Sequence, residues 1–258
     1  MIRAVVFDLG HTLWDIEPDD GELLAAAYRA FREELGARLG RDDLPAAEAI
    51  QRAVRDALVA DAPMYFAEGP ELRQPPSHSW VERGCRAAGL VLDEALLREL
   101  TPPLFATEIE RLACGEGTVA AVRALDAEGY ALGCVTNTLA DTASIRAMLR
   151  RHGLEDVMRS VVVSADEGWR KPHSSLFAKA LRELAVAPHE AVFVGDSPYH
   201  DIAGAKAAGM RAVLTQQYAV RPHDGMEPPP DAVISHVREL REVIRRMDGA
   251  HAGAAPAR

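Results

Sequence analysis

The sequence predicts an α/β fold, a parallel sheet with helices on both faces, plus an all-helical block inserted near its start. Three observations carry this. From Gly117 onward, short apolar β-rich runs alternate with segments of helical spacing, the pattern of strand–crossover–strand units. Residues 4–7, Ala-Val-Val-Phe, form one earlier apolar run with no polar alternation, as expected of a strand buried on both faces. Between the two, 17–114 shows helical periodicity and no strand pattern.

The elements follow in order. The first strand lies within 3–10 and ends in Asp8 and Gly10. Helical spacing then covers 19–39, about 43–61, 79–90 and 93–113. Leu23, Leu24, Ala27 and Phe31 share a face of the first of these, and Leu96, Leu97 and Leu100 recur in the last, as amphipathic helices require. A proline-rich loop at 62–78, carrying Tyr65, Phe66 and Arg73, separates the second from the third. Helix 118–128 stops at Gly129, a common helix terminator, and strand 130–136 follows. Next come helix 139–152, strand 160–164, helix 174–186, strand 190–195, helix 200–208 and strand 211–215. Strand 231–234 and helix 236–247 complete the pattern, and the Ala/Gly/Pro-rich 248–258 reads as a disordered tail. Residues 1–16 and 115–247 thus form the core, and 17–114 forms an insertion over the same sheet edge, suited to act as a lid.

Composition narrows the function. The chain has 258 residues, 48% of them hydrophobic and 26% charged, enough to build a substantial core. With 39 acidic against 29 basic residues its formal charge is −10, which argues against nucleic acid as partner. Three widely spaced cysteines, Cys85, Cys114 and Cys134, give neither a disulfide framework nor a zinc site and fit a reducing cytoplasm. No apolar run is long enough for a membrane span. Only Lys171, Lys179 and Lys206 offer an amine for chemistry.

Parallel sheets hold their sites at the carboxyl ends of the strands. That rule selects Asp8, Thr136, the segment after Ser164, and Asp196. Two carboxylates from different strand ends suit a hard divalent cation completed by water and phosphate oxygens. Asp201 reads either as an acid favouring a helix start or as a group orienting a metal ligand. Thr136 can donate a hydrogen bond to a phosphoryl oxygen, or cap helix 139–152, a task open also to Asn137 or Thr138. Lys171 can neutralise both an attacking carboxylate and a transferring phosphoryl group.

Four blocks, FDLGHTL, CVTNT, GWRKP and VFVGDSPYHD running into DIAGAKAAGM, resemble in order and spacing the motifs of the haloacid dehalogenase superfamily of hydrolases. The resemblance covers the whole core, and the helical block resembles that superfamily's cap. It implies a Rossmann-like core and a nucleophile, Asp8, that becomes an aspartyl-phosphate. It further implies phosphate binding by Thr136, Asn137 and Lys171, and Mg²⁺ held by Asp8, the Gly10 carbonyl and Asp196, with Asp201 supporting. The expected substrate is a small phosphorylated metabolite, and the expected assembly a monomer or homodimer.

The pattern departs from the family's phosphatases at Gly10, where they carry a second Asp that protonates the leaving alcohol. Losing that proton transfer costs about 10²–10⁴-fold in rate unless it is replaced. Three readings follow. His11, Asp15 or a cap residue such as His78 supplies the proton, the reading we prefer. The substrate has a leaving group needing little protonation, such as an acyl or anomeric phosphate. Or the chain binds phosphate without turnover. Dehalogenation ranks behind phosphatase chemistry because Asp196 retains the metal-type acid. Phosphonate cleavage through a cap lysine is closed, since 1–170 contain no lysine. Trp14, Tyr65, Arg73, His78 and Trp80 are candidate entrance contacts, with packing the stronger reading for Trp80.

Overall fold

In chain order the computed structural model builds β1 (Ala4–Phe7), β2 (Trp14–Ile16), α1 (Glu22–Leu39), α2 (Ala47–Phe66) and α3 (His78–Ala87). It continues with α4 (Glu94–Leu100), α5 (Pro102–Arg111), β3 (Leu112–Cys114), α6 (Thr118–Ala127), β4 (Ala131–Thr136) and α7 (Thr142–Arg151). Then come β5 (Met158–Val163), α8 (Ser164–Glu167), α9 (Ser174–Glu183), β6 (Ala191–Gly195) and α10 (Gly204–Ala207). The last elements are β7 (Arg211–Thr215), β8 (Ala232–Ile234) and α11 (Leu240–Ala252). The structure describes residues 1–17, 21–66 and 72–252. The side chains of Tyr65 and Phe66, and residues 253–258 of the expected tail, lie outside the described part. Residues 248–252 belong to α11, which runs five residues past its expected end.

The sheet order is β5-β4-β1-β6-β7-β8, with every neighbouring pair parallel. All four residues of β1 are fully buried, which explains why its sequence shows no alternation. One sheet face packs against α6, α7 and α11 through Val122, Leu125, Ile145, Met148 and Ile244. The other packs against α9 and α10 through Leu176, Phe177, Ala180 and Ala205. The expected doubly covered parallel sheet is therefore present.

Helices α1–α5 enclose a separate apolar cluster built on Phe31, Ile50, Trp80, Val81 and Leu97. At the closest approach of α2 and α3, a Cβ on Gly84 would lie 2.4 Å from Val54 Cγ2 and 2.6 Å from its Cα. Only glycine permits that contact.

Three local expectations are corrected. The loop expected at 62–78 is shorter, because α2 runs on to Phe66 and α3 begins at His78. The helix expected over 93–113 is two helices meeting at Thr101, because Pro102 and Pro103 cannot sit inside a helix but fit its first turn. The inserted block is not helical throughout its stem. β2 and β3 pair antiparallel where the chain leaves and re-enters the core, Trp14 opposite Cys114 and Ile16 opposite Leu112. A three-residue strand is too short to carry a recognisable alternation. Among the described residues no helix is long and apolar enough to cross a membrane.

Candidate active site

Because β4, β1 and β6 are neighbours, their carboxyl ends bring Thr136, Asp8 and Asp196 to one edge, where the strand order reverses. The edge opens into a cleft of about 690 Å³. Asp8 follows β1 directly, with its backbone N–H donating to Val194 O at 2.8 Å. Its Oδ2 accepts from Thr12 Oγ1 at 3.2 Å, a contact four residues along the same motif that sequence reasoning missed.

Lys171 arrives from the loop after α8. Its Nζ donates to Asp8 Oδ1 and to Asp201 Oδ1, both at 2.6 Å. The lysine is 2% exposed. Burial alone would favour the neutral amine, but Asp201 and Asp8 outweigh it and hold Lys171 protonated, with its pKa above the usual lysine value. Burial pushes the Asp8 carboxyl up to about 7, with Lys171 opposing and the nearby Asp201 and Asp196 adding to the rise. Asp196 is also raised, first by burial and then by Asp201, against the pull of Arg221.

Asp201 sits on a π-helical turn, Pro198–Ala203, that Ser197 opens, a kind of irregularity common at functional sites. Its Oδ2 accepts from the Ser197 N–H at 2.9 Å while Oδ1 takes the lysine. A Cβ on Gly195 would fall 2.3 Å from Asp201 Oδ2, so glycine is what lets this carboxylate reach the site. The expected helix 200–208 is thus a π-helical turn running into α10.

One carboxylate oxygen from each of Asp8, Asp196 and Asp201 lies within 4.8 Å of the other two. These buried hard-oxygen donors fit a divalent cation such as Mg²⁺. Asp201, engaged by Lys171 and Ser197, fits the supporting part. Gly10 lines the same cleft, and a Cβ there would meet nothing within 4 Å.

Thr136 ends β4, is buried and lines the cleft. It does not cap the next helix; Asp141 does, accepting from the Ser144 N–H at 2.8 Å. Asn137 grips the main chain of Lys171: its Oδ1 accepts from the lysine N–H at 2.7 Å and its Nδ2 donates to the lysine carbonyl at 3.3 Å. His11 lines the cleft and Asp15 does not; the two face one another, Nδ1 to Oδ1 3.2 Å, both about half exposed. His11 holds φ at 54°, an uncommon conformation for a non-glycine residue.

The other named candidates divide. Trp14 lines the cleft. His78 is buried in the insertion, with Nε2 3.7 Å from Glu94, and does not line the cleft. Trp80 packs in the insertion's core and donates to Asp61 Oδ2 at 3.1 Å. Arg73 stacks on Trp169, 3.8 Å above its ring. Sequence reasoning missed Arg170 and Arg221, which also line the cleft. Arg221 Nε lies 2.6 Å from Asp196 Oδ2; its loop carries no pattern that marks it.

A family model for haloacid dehalogenase-like hydrolases matches residues 2–209. A protein named phosphoserine phosphatase from Thermus thermophilus is 33% identical over 243 residues, covering 92% of this chain and 90% of that one. A protein named glyceraldehyde 3-phosphate phosphatase from Pyrococcus furiosus is 37% identical over 127 residues, 48% of this chain and about half, 52%, of that relative. Among solved structures, a 2-haloacid dehalogenase from Pseudomonas syringae pv. Tomato superposes with a TM-score of 0.62 at 28% identity, covering 96% of this chain and all of that one. The order of motifs, the buried Asp8–Lys171–Asp201 cluster and a family match spanning most of the sequence agree: the chain belongs to the haloacid dehalogenase-like hydrolases.

Proposed function

We propose that the chain is a Mg²⁺-assisted phosphatase of a small phosphorylated metabolite, with Asp8 as its nucleophile. One observation carries the reading: Lys171 bridges Asp8 and Asp201 at 2.6 Å on each side, at the floor of an open cleft. A buried ammonium there opposes the rise that burial gives the Asp8 carboxyl, orients the nucleophile, and attracts the anionic phosphoryl group. The phosphatase names of the relatives support the same chemistry.

In this reading an Asp8 oxygen attacks phosphorus, the ester oxygen departs with a proton, and water then hydrolyses the acyl phosphate to regenerate Asp8. Thr136 donates to a phosphoryl oxygen, and Asn137 keeps Lys171 aligned through its main chain. Asp8, the Gly10 carbonyl and Asp196 would hold Mg²⁺, with Asp201 behind them. Bound there, the ion supplies positive charge against the phosphoryl oxygens. His11, backed by Asp15, takes the part of the acid that Gly10 lacks.

The test is phosphate release from an aryl phosphate and a set of alkyl and sugar phosphates, with Mg²⁺ and with chelator. Asp8→Asn is expected to lose roughly 10⁴-fold or more on every ester. His11→Gln is expected to lose about 10²-fold on alkyl esters and much less on the aryl ester, whose leaving group needs little protonation. Gly10→Asp, which the open space accommodates, should restore alkyl turnover in that background. Unchanged alkyl turnover in His11→Gln overturns the assignment of the acid. If no ester is cleaved, halide release from a 2-haloacid tests the second reading, which the 28% identical dehalogenase structure favours.

A further inference from the structure

A strap from the helical insertion lies against the loop that delivers Lys171. Residues 72–74 run antiparallel to 168–170: Arg170 N–H donates to Leu72 O at 2.8 Å, and Gln74 N–H donates to Gly168 O at 3.0 Å. The Arg73 guanidinium covers the Trp169 ring, which stacks in turn on His173 at 4.0 Å. This is a further attachment of insertion to core, remote along the chain from the β2–β3 stem and from the Arg151–Glu110 contact beside it.

The Gln74 side chain is the polar centre of that attachment and is 3% exposed. Its Oε1 accepts from Arg170 Nη1 at 3.0 Å. A guanidinium can only donate, so this contact fixes which end of the carboxamide is oxygen. The same Oε1 lies 3.3 Å from Ser164 Oγ. Ser164 Oγ accepts from the Thr138 N–H at 2.9 Å and shares its single hydrogen between Gln74 and Thr138 O, 3.2 Å away. One buried oxygen from the insertion therefore joins the 136–138 segment, on the phosphate side of the cleft, to the residue preceding Lys171. A buried polar network of this kind specifies geometry only while its members remain satisfied.

We propose that Gln74 is a positioning residue for reaction at Asp8, coupling the seating of the helical insertion to the alignment of Lys171 and the 136–138 segment. Its kinetic consequence rests on the phosphatase reading; its consequence for phosphate binding does not.

The experiment compares wild type, Gln74→Leu, Gln74→Glu and Ile50→Val. Calorimetry with inorganic phosphate in Mg²⁺, below every Tm, gives affinity, and aryl phosphate hydrolysis gives kcat and KM. Gln74→Leu is expected to weaken phosphate binding and lower kcat, each about tenfold. Gln74→Glu keeps an acceptor oxygen toward Arg170 and Ser164 but loses the Nε2 donation to Pro75 O, 3.1 Å away, and should fall between wild type and Gln74→Leu, about threefold below wild type. Ile50→Val, in the insertion's apolar core, should lower Tm and leave phosphate affinity unchanged. The proposal is overturned if Gln74→Leu matches wild type, if Gln74→Glu is as impaired as Gln74→Leu, or if affinity merely follows Tm through the series. A wild-type protein that binds phosphate but cleaves no ester overturns the phosphatase reading alone, and the calorimetry still decides the role of Gln74.

Discussion

Around the cleft of the core, Asp8, Lys171, Asp196 and Asp201 are between 1% and 7% exposed, whereas the insertion's pairs Arg38–Glu34, Arg86–Glu82 and Arg98–Glu94 lie on helix surfaces. Exposed pairs of that kind contribute about 0–1 kcal/mol. Buried charges cost several kcal/mol each in desolvation, and their attraction often fails to offset it. The core thus retains a charge cluster that stability alone would not favour. The insertion places its charge where it adds solubility and relies on apolar packing for its fold. On the proposed phosphatase reading, chemistry and stability are segregated between the two regions, with Gln74 as the point where they meet.

Two glycines break or sharpen that comparison. Gly195→Ala forces the Asp201 carboxylate, 2.3 Å from the new Cβ, away from Lys171. Its effect should fall on rate, about 10²-fold in kcat, with a much smaller change in denaturant midpoint. Gly84→Ala must part α2 from α3 at Val54, where overpacking is worth about 1–3 kcal/mol. It should shift the denaturant midpoint while folded protein keeps a near wild-type kcat. Equal losses of kcat in the two variants, measured where both are folded, would show that the segregation is not real.

The smallest expected effect concerns acid. Burial, then the nearby Arg98, lowers the pKa of His78 below its ordinary 6.5, against the pull of Glu94 and Glu82. Once unfolded, the imidazole takes up its proton at higher pH than in the fold. The stability it contributes is therefore complete above pH 6.5 and is lost as pH falls through the lower folded value. His152 in the core is lowered in the same direction, by burial and then by Arg151. Tm measured against pH should fall on the acid side, and His78→Gln should remove part of that fall. An acid limb unchanged by His78→Gln would show that His78 contributes nothing to it.

The sheet was legible because its strands are buried on both faces and so spell continuous apolar runs, as in Ala4–Phe7. The carboxyl-end rule then reached Asp8, Thr136 and Asp196 without further help. Lys171 was legible through its motif and its scarcity as a lysine. Arg221, Arg170 and Gln74 were not, because each acts through a partner more than twenty residues away along the chain. No local spacing encodes such a meeting. The break at Thr101 was readable from Pro102 and Pro103, had proline been weighed above the leucine periodicity. The β2–β3 pairing was not, since three residues per strand leave no period to detect.

That ribbon bears on how such a protein changes over evolutionary time. Ile16 and Leu112 stand opposite one another, at about 5 Å between Cα atoms, so the core experiences everything between them as a closed hairpin. The entropy of joining those ends grows only slowly with the length enclosed. A helical block of different size or lining, entering at Ile16 and leaving at Leu112, would meet the same anchor and the same buried Asp8. It would need to keep one further match, an acceptor where Gln74 meets Arg170. The insertion is in that sense a transplantable part, and the carboxyl edge of the sheet its common socket.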